Sequence, residues 1–290
     1  MRRSRVFRYG ILTPACLLLA SLGLLLLAGT QTKPASGQQP SKVLAASLDN
    51  VAPPAPAVDL SAQYNDELKN LIADWVTKQP QPTEWGVAVQ GLVNTNISTS
   101  FQGEKSFQTA SIYKLYMIYA LSRLVPQSQW SRTLPGDHRT IDTCVSAMLM
   151  RSDNPCGMAM GNWLGWVKAE QLIKKAGYNH TVIDEVPLGS TALDTNKFMT
   201  DLYNGVTFGP ALRDRMINDM KKSIFRTGIV AGCPGCSVAN KTGNLKGYNH
   251  DSAIIEVDGR TFTLTIMSKG GSFAEIASLT RLIQQYIRSH

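Results

Sequence analysis

Histidine is scarce in this chain of 290 residues. His138, His180, His250 and His290 are scattered along it, and only one CxxC occurs, Cys233-Pro-Gly-Cys236. Without a second cysteine pair or a His-x3-5-His segment, a zinc set is incomplete and a redox dithiol is weakly signalled. Structural disulfides or plain thiols are the simpler reading. No metal or organic cofactor is implied. Also missing is any Arg/Lys stripe interleaved with aromatics, so nucleic acid is not expected as a partner. No internal repeat of fixed period is visible, which sets aside solenoids and propellers. What is present is 43% apolar residues, enough for a substantial core.

The formal charge of +8 is concentrated at the start. Arg2, Arg3, Arg5 and Arg8 precede the first apolar run, no acid falls among residues 1–30, and without those four arginines the balance drops to +4. A basic start followed by an uncharged apolar stretch, residues 11–29, reads as an export segment (1–30) that delivers the protein to the cell envelope. At 19 residues the stretch lies between a long signal peptide and a membrane anchor, and both readings stay open. The run ends Leu-Ala-Gly-Thr30, with threonine where a lipoprotein signal needs cysteine, so lipid anchoring is not expected. Residues 31–60, rich in Pro, Ala, Ser and Gln, read as a tether. In the remaining domain, 61–290, four cysteines allow three pairings. Cys144 and Cys156 bracket a helix end and Cys233 and Cys236 share a tight turn, so local pairing is the simplest expectation.

Periodicity orders the domain. Tyr64, Leu68, Leu71, Ile72 and Trp75 mark an amphipathic helix over 63–78, stopped by Pro80 and Pro82. Trp85–Val93 and Ile97–Phe101 flank a short turn as a hairpin. From Ser111 to about Lys222 the pattern is almost entirely helical. Strands return at Val238–Thr242, Ala253–Val257 and Thr261–Met267, the last two joined at Asp258-Gly259, and a final helix runs from Phe273 to Ile287. The expected fold class is α+β: an antiparallel sheet of N- and C-terminal strands flanked by helices, with an inserted all-helical subdomain and a cleft between the two.

Three short motifs fall where that organisation lets them converge: Ser111-Ile-Tyr-Lys114, Ser152-Asp-Asn154 and Lys241-Thr-Gly243. Each alone is weak; together and in this order they match the S-x-x-K, S-D-N and K-T-G set. The spacing has a chemical reason. A serine hydroxyl needs a base to take its proton, and a lysine three positions on in a helix shares its face. Lys114 is the candidate base for Ser111, with its pKa expected to be depressed by desolvation and by Lys241 as a second cation. Ser111 at its helix start also puts developing negative charge at the positive end of the helix dipole. The plainer readings are Ser111 as a helix cap, Ser152-Asp-Asn as a turn and Lys241 as a solvated strand end.

With these motifs, and with the stretch from Asn240 to Gly271, the chain resembles the serine β-lactamase and penicillin-binding protein superfamily, class A β-lactamases in particular, over roughly residues 60–290. The resemblance implies a β-lactamase/transpeptidase-like fold. It makes Ser111 the nucleophile and Ser152 a relay to the leaving nitrogen. Asn154 holds the substrate amide, and Lys241 and Thr242 receive a terminal carboxylate. Gly243 allows close approach, and the backbone N–H groups of Ser111 and Asn244 form the oxyanion hole. Lys246, Arg226 and Arg260 are candidates to assist Lys241. The match fails after S-D-N, where class A enzymes carry an ExxLN glutamate that activates the deacylating water. No ExxLN occurs here, and Asp184 and Glu185 stand about two positions early. Acylation is therefore expected without an assured deacylation step. The expected partner is a β-lactam or a peptidoglycan stem peptide, the expected state a monomer. The readings kept are a β-lactam hydrolase, a D-alanyl-D-alanine peptidase, and a non-catalytic envelope recogniser or β-lactam sensor.

Overall fold

The computed structural model of the chain describes residues 59–206 and 208–290. The segments expected to export, anchor and tether the protein, 1–30 and nearly all of 31–60, lie outside the described residues. Among the described residues no helix is long and apolar enough to cross a membrane.

Helix α1 (Ser61–Thr77) buries Leu68 and Ile72, an i,i+4 pair on one face. Strands β1 (Glu84–Val93) and β2 (Ser98–Phe101) form the expected hairpin, with Asn94 at φ +53° in its turn. After the short β3 (Ser106–Gln108), a 3-10 turn over Ala110–Ile112 opens directly into α2 (Tyr113–Leu124). Then come α3 (Ile141–Met150), α4 (Asn154–Leu164), α5 (Trp166–Lys175), the short β4 (Gly189–Thr191), α6 (Ala192–Tyr203), α7 (Pro210–Lys221) and one turn of helix, α8 (Ile229–Gly232). The chain ends with β5 (Ser237–Leu245), β6 (Tyr248–Val257), β7 (Arg260–Lys269) and α9 (Phe273–Ser289), the last opened by a capping box between Ser272 and Glu275.

Five strands form one antiparallel sheet in the order β2-β1-β7-β6-β5, so the N-terminal β1 lies between β2 and the C-terminal β7. Alternation along β7 assigns its faces. Phe262, Leu264 and Ile266 pack with Leu68, Ile72, Ile276, Leu279 and Ile283 of α1 and α9. The opposite face meets α6 through a buried polar layer, in which Thr263 Oγ1 donates to Asn196 Oδ1 at 3.1 Å and Asn196 Nδ2 donates to the Ala88 carbonyl at 3.1 Å. The inserted helices enclose a second core around α2, where nine consecutive residues from Tyr113 to Leu121 are buried.

Several elements exceed their sequence expectation. β6 begins at Tyr248 rather than Ala253, because Asn249, His250 and Asp251 interrupt the apolar run while still pairing with β7. The β3–β4 ribbon has strands too short for a periodic signal. The cysteines pair locally, as the spacing suggested. Cys144–Cys156 ties α3 to α4 across the loop containing Ser152, and Cys233–Cys236 closes the turn before β5. Replacing Cys144 and Cys156 by serine is expected to lower the unfolding free energy by about 2–4 kcal/mol in urea titrations. An unchanged midpoint would mean that helix packing alone holds the loop.

Candidate active site

Ser111 lies in the 3-10 turn at the mouth of α2, and its hydroxyl caps neither that turn nor the helix. Instead it accepts a hydrogen bond from Lys114 Nζ at 2.8 Å. The turn is approached through Ala110 at φ +46°, a left-handed conformation that costs a non-glycine residue about 1–3 kcal/mol. The Thr109 N–H, which donates to the Leu188 carbonyl at 2.9 Å, helps hold it.

Lys114 is fully buried. Besides Ser111 Oγ, its ammonium reaches the Ser152 carbonyl at 2.9 Å, Asn154 Oδ1 at 2.7 Å and, at 3.4 Å, Ser152 Oγ. Ser152 sits between α3 and α4 at φ +55°, and its hydroxyl also accepts from Lys241 Nζ at 2.8 Å. The first two motifs thus meet on Lys114, and the third joins them through Ser152. Burial drives the Lys114 pKa down to about 8, against a smaller opposing pull from Asp153. The sequence reading gave Lys241 a share in that depression. In the structure burial is the leading cause for both lysines, and the Lys241 pKa falls well below the ordinary lysine value through burial first and the charge of Lys114 second.

Lys241 also differs from its expected setting. β5 is an edge strand, yet the Lys241 side chain turns inward, is almost fully buried, and donates to Ser152 Oγ and to the Thr242 carbonyl at 2.6 Å. It is not an open cation. Of the proposed assistants, Arg226 donates to the carbonyls of Lys221 and Val238, and Arg260 lies at the far end of the sheet, paired with Val257. Lys246 is exposed on the β5–β6 turn, next to Leu245 at the cleft rim.

Two glycines make this convergence possible. A Cβ on Gly243 would come within 2.9 Å of the Thr109 carbonyl and 3.1 Å of Ile112, so only glycine lets β5 pass this close to the serine turn. A Cβ on Gly157 of α4 would stand 2.5 Å from Tyr113 Oη and 2.9 Å from Lys114 Cε. Gly157 went unremarked in the sequence, although glycine inside a helix is a signal of close packing. Behind β5, His250 Nε2 donates to the Gln108 carbonyl at 2.7 Å, while its Nδ1 accepts from the Ser268 N–H at 3.1 Å. Burial lowers its pKa to about 4, so the ring is neutral and pins β3 to β6.

The cleft above Ser111 has a volume of about 390 Å³. Ser111, Asn154 and Asn244 line it, and its rim is apolar: Tyr113, Met158, Leu245 and the run Val186-Pro187-Leu188. Among the described residues no aspartate or glutamate lines it. Asp184 and Glu185 are exposed on the loop before Val186. Their segment is fastened to α5 where Glu170 Oε2 accepts the N–H groups of Ile183 at 2.6 Å and Asp184 at 3.0 Å. The cleft can therefore present the Ser111 hydroxyl, with Lys114 hydrogen-bonded behind it, to a carbonyl compound.

The sequence matches the beta-lactamase enzyme family over residues 65–287. No curated protein matches it. Among solved structures, PBP-A superposes with a TM-score of 0.68 at 20% identity, covering 77% of this chain and 97% of that one. A PBP-A variant solved as an acyl-enzyme complex with penicillin G gives 0.69 at 19%, covering 79% and 97%. A variant of the reconstructed class A β-lactamase of the last common ancestor of Gram-negative bacteria gives 0.68 at 20%, covering 77% and 99%. At these identities the likeness establishes the fold.

The buried ammonium yields a direct prediction. Lys114 is expected to lose its proton with a midpoint near 8, rather than near the 10.5 of an ordinary lysine. An NMR titration of 13C-labelled lysine, assigned with Lys114→Arg, reads it. A midpoint near 10.5 would sink the prediction.

Proposed function

This chain belongs to the beta-lactamase enzyme family and is a serine β-lactamase-like hydrolase, and on that premise we propose that Ser111 forms an acyl-enzyme with β-lactams which it clears slowly, its turnover substrate being a D-alanyl-D-alanine peptide end of peptidoglycan. The observation that carries the reading is the cleft itself, in which the three motifs join through hydrogen bonds beneath Ser111 while Val186-Pro187-Leu188 occupies the wall and, among the described residues, no carboxylate lines it.

In this mechanism the neutral fraction of Lys114 takes the Ser111 proton across their 2.8 Å contact as Oγ attacks the carbonyl. The N–H groups of Ser111 and Asn244 receive the oxyanion. Collapse of the intermediate breaks the C–N bond. The proton moves from Lys114 to the leaving nitrogen through Ser152, which lies 3.4 Å from Lys114 Nζ and 2.8 Å from Lys241 Nζ. Asn154 aligns the substrate amide, and the Thr242 hydroxyl receives the carboxylate end, with Lys241 buried beneath and bonded to Ser152 rather than open to the substrate. Hydrolysis then needs a water on the acyl carbon. A departing D-alanine opens room for it, whereas a ring-opened β-lactam stays tethered and keeps its nitrogen in the way. Glu185, exposed and outside the cleft lining, takes no part.

Export to the cell envelope, with residues 11–29 as signal or anchor and 31–60 as tether, belongs to the same proposal. Peptidoglycan lies outside the cytoplasmic membrane, and two disulfides suit an oxidising compartment.

Intact-mass measurements with benzylpenicillin test the reading. The expected result is a single adduct that persists for minutes to hours, absent in Ser111→Ala, together with release of D-alanine from a stem peptide. Formation of the adduct is expected to quicken with pH through a midpoint near 8, since deprotonation of Lys114 creates the base. Rapid return of free enzyme with hydrolysed penicillin would instead assign a β-lactamase. Absence of both adduct and hydrolysis, with cell-wall binding retained in Ser111→Ala, would assign a recogniser.

A further inference from the structure

Arg139, between α2 and α3 and outside all three motifs, grips the middle residue of Ser152-Asp153-Asn154. Its Nη1 donates to Asp153 Oδ2 at 2.9 Å and its Nη2 to Asp153 Oδ1 at 3.0 Å, a two-pronged fork. The guanidinium is itself held from the other side. Asp137 Oδ1 accepts from Arg139 Nε at 2.9 Å and from its backbone N–H at 2.9 Å, and Asp137 Oδ2 accepts from Nη2 at 2.7 Å. The cluster lies at the surface and is partly covered, with side-chain exposures of 4% for Asp137, 18% for Asp153 and 20% for Arg139, and its strength comes from the fork geometry rather than from burial. Asp153 Oδ1 also accepts from the Cys156 N–H at 2.9 Å and so caps α4.

The grip falls at a strained point. Ser152 holds a left-handed φ of +55° immediately before Asp153, and both its carbonyl and its hydroxyl must face Lys114. A backbone in that region stays there only when its neighbours over-determine it. The fork on Asp153 and the cap on α4 fix the residue after Ser152, and the Cys144–Cys156 disulfide encloses the loop. The charges matter as well. Asp153 pulls the Lys114 pKa upward, and Arg139 is the cation that offsets Asp153. Other titratable or charged groups nearby are Lys241, across Ser152 from Lys114, Arg151, exposed and directly before Ser152, and the exposed His138 imidazole, 3.6 Å from Asp137.

We propose that Arg139 is a positioning residue for the acylation step, holding Ser152 and Asn154 in register with Lys114 and shielding the Lys114 ammonium from the charge of Asp153. The inference rests on the reading that Ser111 is acylated. If the fork goes, the loop relaxes and Ser152 drifts from Lys114. A misplacement of that kind costs about tenfold to a hundredfold in rate. Loss of the guanidinium also leaves Asp153 uncompensated. Its negative charge then stabilises the protonated form of Lys114, and a higher pH is needed to free the amine.

The test is the second-order rate of benzylpenicillin adduct formation against pH for the purified chain and for Arg139→Gln, Arg139→Lys and Arg139→Gln/Asp153→Asn. Arg139→Gln is expected to be slower by about tenfold or more at pH 7, with its rising limb displaced to higher pH. Arg139→Lys keeps a cation without the fork and is expected to lose rate while holding the limb near its original pH. In the double variant the charge beside Lys114 is gone and the cluster regains its original net charge, with Asp137 the remaining carboxylate, so the limb returns while the rate stays low. A purely structural role predicts lower thermal stability and an unmoved limb in every variant, and that result would overturn the inference, as would wild-type rates in Arg139→Gln. Should Arg139→Gln fail to fold, the rate of Arg139→Lys decides, and a wild-type rate there overturns the positioning role. If the unaltered chain forms no adduct at all, the acylation reading itself fails, an outcome distinct from any of these.

Discussion

A single buried ammonium organises the cleft. Removing a lysine charge from water is expensive unless oxygen atoms replace the hydration shell. Lys114 meets four of them, drawn from the serine turn, the loop between α3 and α4, and the first residue of α4. Much of the surrounding architecture follows from that requirement. α2 must enter its core with one charged side chain among nine buried residues, α4 must carry glycine at position 157, and Ser152 must adopt a backbone that ordinary residues avoid.

The second lysine shows how the two cores cooperate. Lys241 belongs to the sheet and Ser152 to the helical insert, and the hydrogen bond between them stitches one to the other at the floor of the cleft. The strand reaches that point because Gly243 leaves room for the Thr109 carbonyl, while neutral His250 ties β6 to β3 just behind. Two ammonium groups on one hydroxyl repel each other, and burial already disfavours both charges. Protonation of one therefore depends on the state of the other, which is the electrical condition for moving a proton along Lys114, Ser152 and Lys241.

The α+β class, the order of the main elements, the hairpin at Asp258-Gly259 and the local disulfides were legible because apolar periodicity, turn residues and cysteine spacing are local signals. The three motifs were legible as short strings, and so was the missing ExxLN glutamate. The inward turn of Lys241 could not be read, since an edge strand exposes one face and buries the other and the choice depends on register. Nor could the contact of Arg139 with Asp153, made across a fold in the chain, or the part of β6 before Ala253, where His250 and Asp251 fall outside the apolar run yet are buried. Each of these depends on what one element packs against, and periodicity is blind to that.

The sheet order carries a consequence for how the molecule comes into being. Glu84, near the start of the folded region, lies opposite Lys269, and β1 is flanked by β2 and β7. The hairpin β1–β2 can form early by itself, but it stays a marginal two-stranded ribbon until the last strands are available. The insert can collapse around α2 sooner, yet Lys241 is added from the C-terminal side. Lys241 joins Ser152 only once β5 is in place, and long-range pairing of β1 with β7 is expected to be slower than local contacts within the insert, so the site is expected to be completed late.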